Sequence, residues 1–374
     1  MTATKTLSVC LVALSGLVGC GLTPTPNGPP ETPFAGLTPI NADGAEQEFS
    51  GNIVALGLFD AGTAFRLRME APNLRSVLIL RGEDDRGQTA RYVGGGPADT
   101  EFVYSVSVPG DYFAFARFEP DASRATRAGR ITLSADSRPA PPASRQAVVI
   151  EFEDGFLHNP GLWDEAEGTP AEQEFLASVS PLLQSEIMTT LRAIFAEMPI
   201  DLLSEPPASG PFSRVTFSPL RVPAAPSDIA DAAQPPPDPG RPECQERVTF
   251  GEVLPDGTLD DVGNHNRDDA AIVYVGSFQG RGLTCRSQVT DSINNMVLAL
   301  AQTAAHEIGH LIGLLHVEQI DLMNRSATLA SLRELTFARG QVQLERLING
   351  EVVGEVFPAI VQEPAEYIRA VLGD

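Results

Sequence analysis

A chain of 374 residues, 43% hydrophobic and 20% charged, is long enough for two or three domains that each bury an ordinary core. Its 26 basic residues stand against 49 acidic ones, a formal net charge of −23, which argues against nucleic acid as a partner because a phosphate backbone would repel it. The 33 glycines and 31 prolines are a large share and predict linkers.

The chain begins with MTATK, a short segment carrying Lys5, followed by the apolar run LSVCLVALSGLV. This run is too short to span a bilayer comfortably and reads as a cleaved targeting segment. LVGC at residues 17–20 resembles the bacterial lipobox. That resemblance implies that residues 1–19 are a lipoprotein signal peptide and that Cys20 carries diacylglycerol. The exported protein would then be lipid-anchored to a bacterial membrane, the outer one by analogy with known sorting rules, since residue 21 is Gly rather than Asp. The other reading is an ordinary secretory signal cut nearby. Residues 20–44 form a Pro-rich tether of the kind that separates an anchor from a folded body. Cys10 leaves with the signal, and an exported compartment permits Cys244 and Cys285 to pair as a disulfide; two buried thiols are the alternative.

Residues 45–134 read as short strands: FSGNIVALGLF, AFRLRMEA, SVLILRG, EFVYSVSV and DYFAFARF, separated by turn residues. In AFRLRMEA, Phe65, Leu67 and Met69 point one way and Arg66, Arg68 and Glu70 the other. The expectation is a small all-β sandwich, ended by a linker at 135–146, ADSRPAPPASRQ. A second domain, 147–374, opens with the strand AVVIEFED. A long helical pattern follows from about Pro170, with Phe175, Leu176, Val179, Leu183, Ile187, Leu191, Ile194 and Phe195 along its apolar stripe. Pro181 should bend or divide it. FSRVTFSPL, RVTFGEV and DAAIVYVGSF are further strands, so this half reads as α/β. A helix from Asp291 or Ser292 presents Ile293, Met296, Val297, Leu300 and Ala304 inward and leads into HEIGHLIGLLH, residues 306–316, which holds three of the chain's five histidines.

On a helix, His306 and His310 lie one turn apart on the same face, so both imidazoles can reach one zinc ion, while Glu307 can reach water at the metal. Gly313 can take a left-handed conformation, end the helix and turn the chain back so that His316 becomes a third nitrogen ligand. Three protein ligands leave a fourth tetrahedral position open, as catalytic zinc sites do.

HEIGHLIGLLH matches HExxHxxGxxH at every fixed position, and in this it resembles the metzincin zinc peptidases. The resemblance implies zinc ligands at His306, His310 and His316, a general base at Glu307, a turn glycine at Gly313, and a methionine turn at Met323 in IDLMNRS whose role is packing rather than ligation. It also implies an α/β (α+β) metzincin-like zincin catalytic domain following the sandwich, whose C-terminal pieces ASLRELTFARGQVQLERLI and PAEYIRAVLG belong to a lower subdomain. The implied activity is zinc-dependent endopeptidase action on extracytoplasmic proteins or peptides, with a peptide docking along a sheet edge. The departures are a short span from His316 to Met323 and a valine at 317, which leave the subfamily unnamed. The alternative from another class is an inactive cell-surface binding or structural protein on the same fold. The loop DGTLDDVGNHNRDDAA, 256–271, with Asp256, Asp260, Asp261, Asp268 and Asp269, has the oxygen density for Ca2+ but not EF-hand spacing, and solvated acidic loops are commoner. Oligomeric state has no signature in the sequence.

Overall fold

The computed structural model describes residues 34, 36–83, 89–97, 101–118, 127–136, 145–157, 170–220, 222–223, 248–254, 262–278, 293–317, 321–324, 335–342 and 359–372. Cys20, Cys244, Cys285, His158, Trp163, Asp256, Asp260 and Asp261 lie outside them. No helix among the described residues is long and apolar enough to cross a membrane.

Strands β1 (Asp43–Ser50), β3 (Ala64–Glu70), β6 (Phe102–Ser105) and β8 (Ala128–Asp136) form an antiparallel sheet in the order β1-β8-β3-β6. A six-stranded sheet is built from β2 (Ile53–Phe59), β4 (Leu74–Gly82), β5 (Thr89–Pro97), β7 (Gly110–Phe118), β16 (Gly340–Gln341) and β17 (Ala359–Gln362), in the order β16-β17-β5-β4-β7-β2. A five-stranded sheet contains β9 (Gln146–Phe152), β10 (Ile200–Leu203), β11 (Ser213–Ser218), β14 (Gly251–Leu254) and β15 (Ala270–Tyr274), ordered β10-β9-β11-β15-β14. Its strands are parallel except β14, which runs antiparallel to β15 at the edge. Strands β12 (Val222–Pro223) and β13 (Val248–Thr249) make a small pair. Among the described residues the α-helices are α1 (Pro170–Ile194), α2 (Ile293–Leu311) and α3 (Pro364–Leu372).

The expected fold class, an α/β metzincin-like domain behind a self-contained sandwich, is corrected by this architecture. Strand residues outnumber helical ones among the described residues, and the six-stranded sheet is shared between the two cores. The cause is legible in SVLIL of β4. Val77 and Ile79 point into the core against the four-stranded sheet, whereas Leu78 and Leu80 point into the core that also holds α2. In β7, Tyr112 and Ala114 take the first side and Phe113 and Phe115 the second. A sheet buried on both faces needs apolar side chains at successive positions, which is why these strands run apolar where a half-solvated sheet would alternate. The C-terminal segment joins the same sheet: β17 lies parallel to β5, and Gly340–Gln341 of ASLRELTFARGQVQLERLI is extended as β16. Among its described residues PAEYIRAVL is helical, as α3, and it packs on β5 with Tyr367 stacked on Tyr92 at 4.9 Å.

Glycines 94–96 of β5 allow close approach from both sides. A Cβ on Gly94 would stand 2.5 Å from the Tyr104 ring, and one on Gly95 3.0 Å from Val262. The loop leading to β15 therefore rests on the β5 backbone, and Gly263 N–H donates to the Tyr367 hydroxyl at 2.8 Å.

Helix α1 passes through Pro181 without division. Its stripe is buried at Leu183, Ile187, Leu191 and beyond it at Phe195, but Phe175 is exposed, so the inward face begins later than the pattern predicts. Helix α2 packs against α1 and against β11, β14 and β15. Ile293 is exposed, and from Ala299 onward every residue of α2 is buried. Burial of Leu300, Ile308 and Leu311 contributes about 1.5–3 kcal/mol each. This helix carries the first two histidines into the interior.

Candidate metal centre

The three histidines converge. His306 Nε2 and His310 Nε2 are 3.0 Å apart, His306 Nε2 and His316 Nε2 are 3.2 Å apart, and His310 Nε2 and His316 Nε2 are 3.1 Å apart. Three nitrogens held by one tetrahedral zinc at about 2.0–2.1 Å would be about 3.3–3.4 Å apart, so the set fits the ion closely. Among the described residues this is the only group of three or more His, Cys, Asp or Glu side chains so arranged.

The outward nitrogens set the tautomers. His306 Nδ1–H donates to the Leu322 carbonyl, and His310 Nδ1–H donates to the Leu314 carbonyl at 2.9 Å. A carbonyl oxygen can only accept, so in the neutral rings the Nε2 atoms of both carry lone pairs aimed at one point. Two lone pairs facing each other at 3.0 Å repel, and a cation between them turns that repulsion into ligation. The residues present therefore fit a zinc ion.

Helix α2 ends as the motif requires. Gly313 has φ +91°, its N–H donates to the His310 carbonyl at 2.9 Å, and Leu314 N–H donates to the Gly309 carbonyl at 2.8 Å. This paired closure is the Schellman motif, which a glycine at the left-handed position allows. The reversed chain delivers His316 to the other two.

Met323 is fully buried in a turn at 321–324 that ties the centre together. Asp321 Oδ1 accepts Met323 N–H at 2.6 Å, Val317 N–H donates to the Met323 carbonyl at 3.1 Å, and Asn324 Nδ2 donates to the Val317 carbonyl at 3.2 Å. The turn thus orients His306 through Leu322 and holds the residue after His316. The Met323 sulfur lies against Gly309, one residue before His310. Burial pushes the Asp321 carboxyl up to about 6 against its backbone hydrogen bonds.

Glu307 is almost wholly buried, packed against Gly251 of edge strand β14. Burial first, and the nearby Glu252 carboxylate second, push its pKa up to about 8. Glu252 accepts a hydrogen bond from the Tyr274 hydroxyl, whose own pKa is raised by burial and by that carboxylate.

In the acidic loop, Asp268 Oδ1 accepts Phe212 N–H at 3.3 Å and Asp269 accepts the Ser213 hydroxyl, so these two carboxylates anchor the start of β11. His265 is exposed and packs edge-on against Phe102. Sequence reasoning missed Gly251, Glu252 and Tyr274 beside Glu307, and Asp321 in the turn. The latter had a local signal, an aspartate two residues before the turn methionine; the others approach from distant strands and had none.

No family model matches the chain, and no curated protein matches it. Among solved structures it is similar to PliG of Aeromonas hydrophila, a periplasmic inhibitor of g-type lysozyme, with 15% identity over 25% of this chain and 82% of that one and a TM-score of 0.20. It is also similar to family two carbohydrate esterases. The one from Clostridium thermocellum has 11% identity over 47% of this chain and 61% of that one, TM-score 0.16. The one from Cellvibrio japonicus has 15% identity over 47% of each chain, TM-score 0.16. At TM-scores this low neither fold nor function passes from these proteins to this chain, and its functional reading rests on the histidine cluster.

Proposed function

We propose that this chain is a zinc-dependent endopeptidase that hydrolyses extracytoplasmic proteins or peptides. The observation that carries the reading is the convergence of three Nε2 atoms within 3.0–3.2 Å, two of them held as bare lone pairs by carbonyls behind the rings, with a buried carboxyl at the next helical position. His306, His310 and His316 would hold zinc, which supplies Lewis acidity toward water and a scissile carbonyl. Glu307 takes a proton from the attacking water and delivers it to the leaving amine. Strand β14 pairs with β15 and has no other named partner among the described residues, so an extended peptide added to its open edge would run past Gly251 and Glu307. The site would work outside the cytoplasm, on a lipid anchor at Cys20 in the outer membrane; palmitate labelling lost in Cys20→Ala is the measurement for that part.

The test of the activity is cleavage of an unfolded protein by wild type and by Glu307→Gln, with zinc content measured on the same samples. The reading predicts zinc in both and cleavage by wild type alone. Zinc in both with no cleavage by either supports a binding role instead, and equal cleavage by the two contradicts the role of Glu307.

A further inference from the structure

The histidine motif is local in sequence, but the loop that carries its third histidine is held from far away. Tyr92, buried in β5, donates its hydroxyl hydrogen to the Gly313 carbonyl at 3.1 Å. Gln362, the last residue of β17 and fully buried, grips Leu315 with both ends of its amide. Its Oε1 accepts Leu315 N–H at 2.8 Å, and its Nε2 donates to the Leu315 carbonyl at 3.0 Å. The side chain thereby imitates a neighbouring strand where none continues. β5 and β17 are adjacent and parallel in the six-stranded sheet, with Tyr92 and Gln362 at the same register position. The two side chains thus reach the loop from one point on that sheet.

Other backbone groups of the loop are tied elsewhere. Gly313 N–H and Leu314 N–H bond to the end of α2, the Leu314 carbonyl accepts from His310, and Val317 is bonded to the methionine turn. Gly313 and Leu315 are fixed to the sheet on the N-terminal side of His316, and on its other side Val317 bridges Val342, whose N–H donates to the Ile360 carbonyl of β17 at 2.8 Å. Without Tyr92 and Gln362 the stretch before His316 would lose its ties to the sheet, and the third nitrogen would be supported from the Val317 side only.

We infer that Tyr92 and Gln362 are positioning residues for the third metal ligand, and that the six-stranded sheet is a part of the metal centre rather than an appended module. This rests on the zinc reading above. Outer partners that orient ligands typically change metal affinity by about 10–100-fold when removed. Here the partners orient the backbone beside the ligand, so the effect falls on His316 and, through the Leu314 carbonyl between the two anchor points, on His310, while His306 keeps its bond to Leu322.

The test uses the full chain as wild type, Tyr92→Phe and Gln362→Glu, with Tyr104→Phe as control. Tyr104, in β6 of the four-stranded sheet, also donates a buried hydroxyl hydrogen bond to β5, at the Val93 carbonyl at 3.2 Å, away from the loop that carries His316. Zinc affinity is measured by competition with a chelating dye, the cobalt-loaded proteins are compared by visible absorption, and thermal stability is recorded for the metal-free proteins. The inference predicts zinc affinity about 10-fold weaker or more in Tyr92→Phe and Gln362→Glu, with an altered cobalt spectrum. Tyr104→Phe should lower stability by as much as Tyr92→Phe and leave affinity and spectrum at wild-type values. If Gln362→Glu does not fold, Tyr92→Phe against Tyr104→Phe decides alone. Wild-type affinity and spectrum in Tyr92→Phe overturn the inference and leave the metal centre standing, as do equal losses in Tyr92→Phe and Tyr104→Phe. A wild-type chain that binds neither zinc nor cobalt overturns both.

Discussion

The Met323 sulfur packs so closely on Gly309 that a Cβ at residue 309 would stand 2.5 Å from it, with the Phe337 ring 3.4 Å away. Helix α2 and the methionine turn therefore meet at the one residue type that lets a thioether reach the helix backbone between His306 and His310.

Gly309→Ala should force the turn away from the helix. Overpacking of this kind costs about 1–3 kcal/mol, and because the turn carries the Leu322 carbonyl behind His306, zinc affinity should fall with stability. Met323→Ala in the same chain removes the obstructing atoms. Urea unfolding of the two single variants and the double variant should give a double variant more stable than the sum of the single effects. Additive effects would show that the contact is not the cause.

Gly251→Ala addresses Glu307 without touching a ligand. A Cβ at residue 251 would stand 2.8 Å from Glu307 Cδ, so the carboxyl must shift. A displacement near 1 Å at a proton-transferring group can cost about 100-fold in rate. Peptide cleavage should fall to that extent while zinc content stays at the wild-type level. Unchanged kcat would place the working position of the carboxyl elsewhere.

The buried Glu307 sets a pH dependence of stability in the metal-free protein. Its folded pKa, about 8, lies above the ordinary value of 4.5, so between the two the folded chain keeps a proton that the unfolded chain releases. Stability from this group is therefore full below about pH 4.5 and is lost as pH rises toward 8. Chemical denaturation of wild type and Glu307→Gln with metal removed should give curves that separate over that interval, the variant being the less pH-sensitive. Parallel curves would mean that Glu307 is solvated.

A second carboxyl acts in the opposite sense. Burial raises the pKa of Glu83, but Arg91 and Arg339 outweigh it and hold the net value below the ordinary one. Arg91 lies 2.7 Å from Glu83 and also pairs with Glu366 and Glu363 near α3. The stability that Glu83 gains from these partners is present above its unfolded pKa and lost as pH falls through the folded one. Arg91→Met leaves these carboxylates without their main partner, at a cost on the order of 2–4 kcal/mol given their partial burial. The loss, read by urea midpoint, should be larger at pH 7 than at pH 4.

The histidine cluster was legible where its geometry is local. Helical spacing brings His306 and His310 together, and Gly313 returns the chain at a distance set by one turn of helix. Met323, seven residues past His316, was expected from the resemblance of the motif and not from its geometry. The fold was legible strand by strand but not in its assembly. AFRLRMEA alternates because one face is solvated, and β3 shows that pattern. SVLIL does not alternate, because both faces of its sheet are covered, and periodicity cannot say by what. The pairing of β17 with β5 joins residues far apart in the chain through a four-residue strand, which carries no signal in sequence. Gln362 and Tyr92 were invisible for that reason, and they stand where the sheet meets the ligand loop.

The central claim is that His306, His310 and His316 bind one zinc ion through Nε2 and leave a position open. X-ray absorption at the zinc edge on wild type and His316→Ala tests it directly. The account predicts one zinc per chain in wild type, with three imidazole nitrogens and one non-protein oxygen at about 2.0–2.1 Å, and two imidazoles in His316→Ala. A wild-type spectrum with sulfur ligands, with two imidazoles, or identical to that of His316→Ala would contradict it.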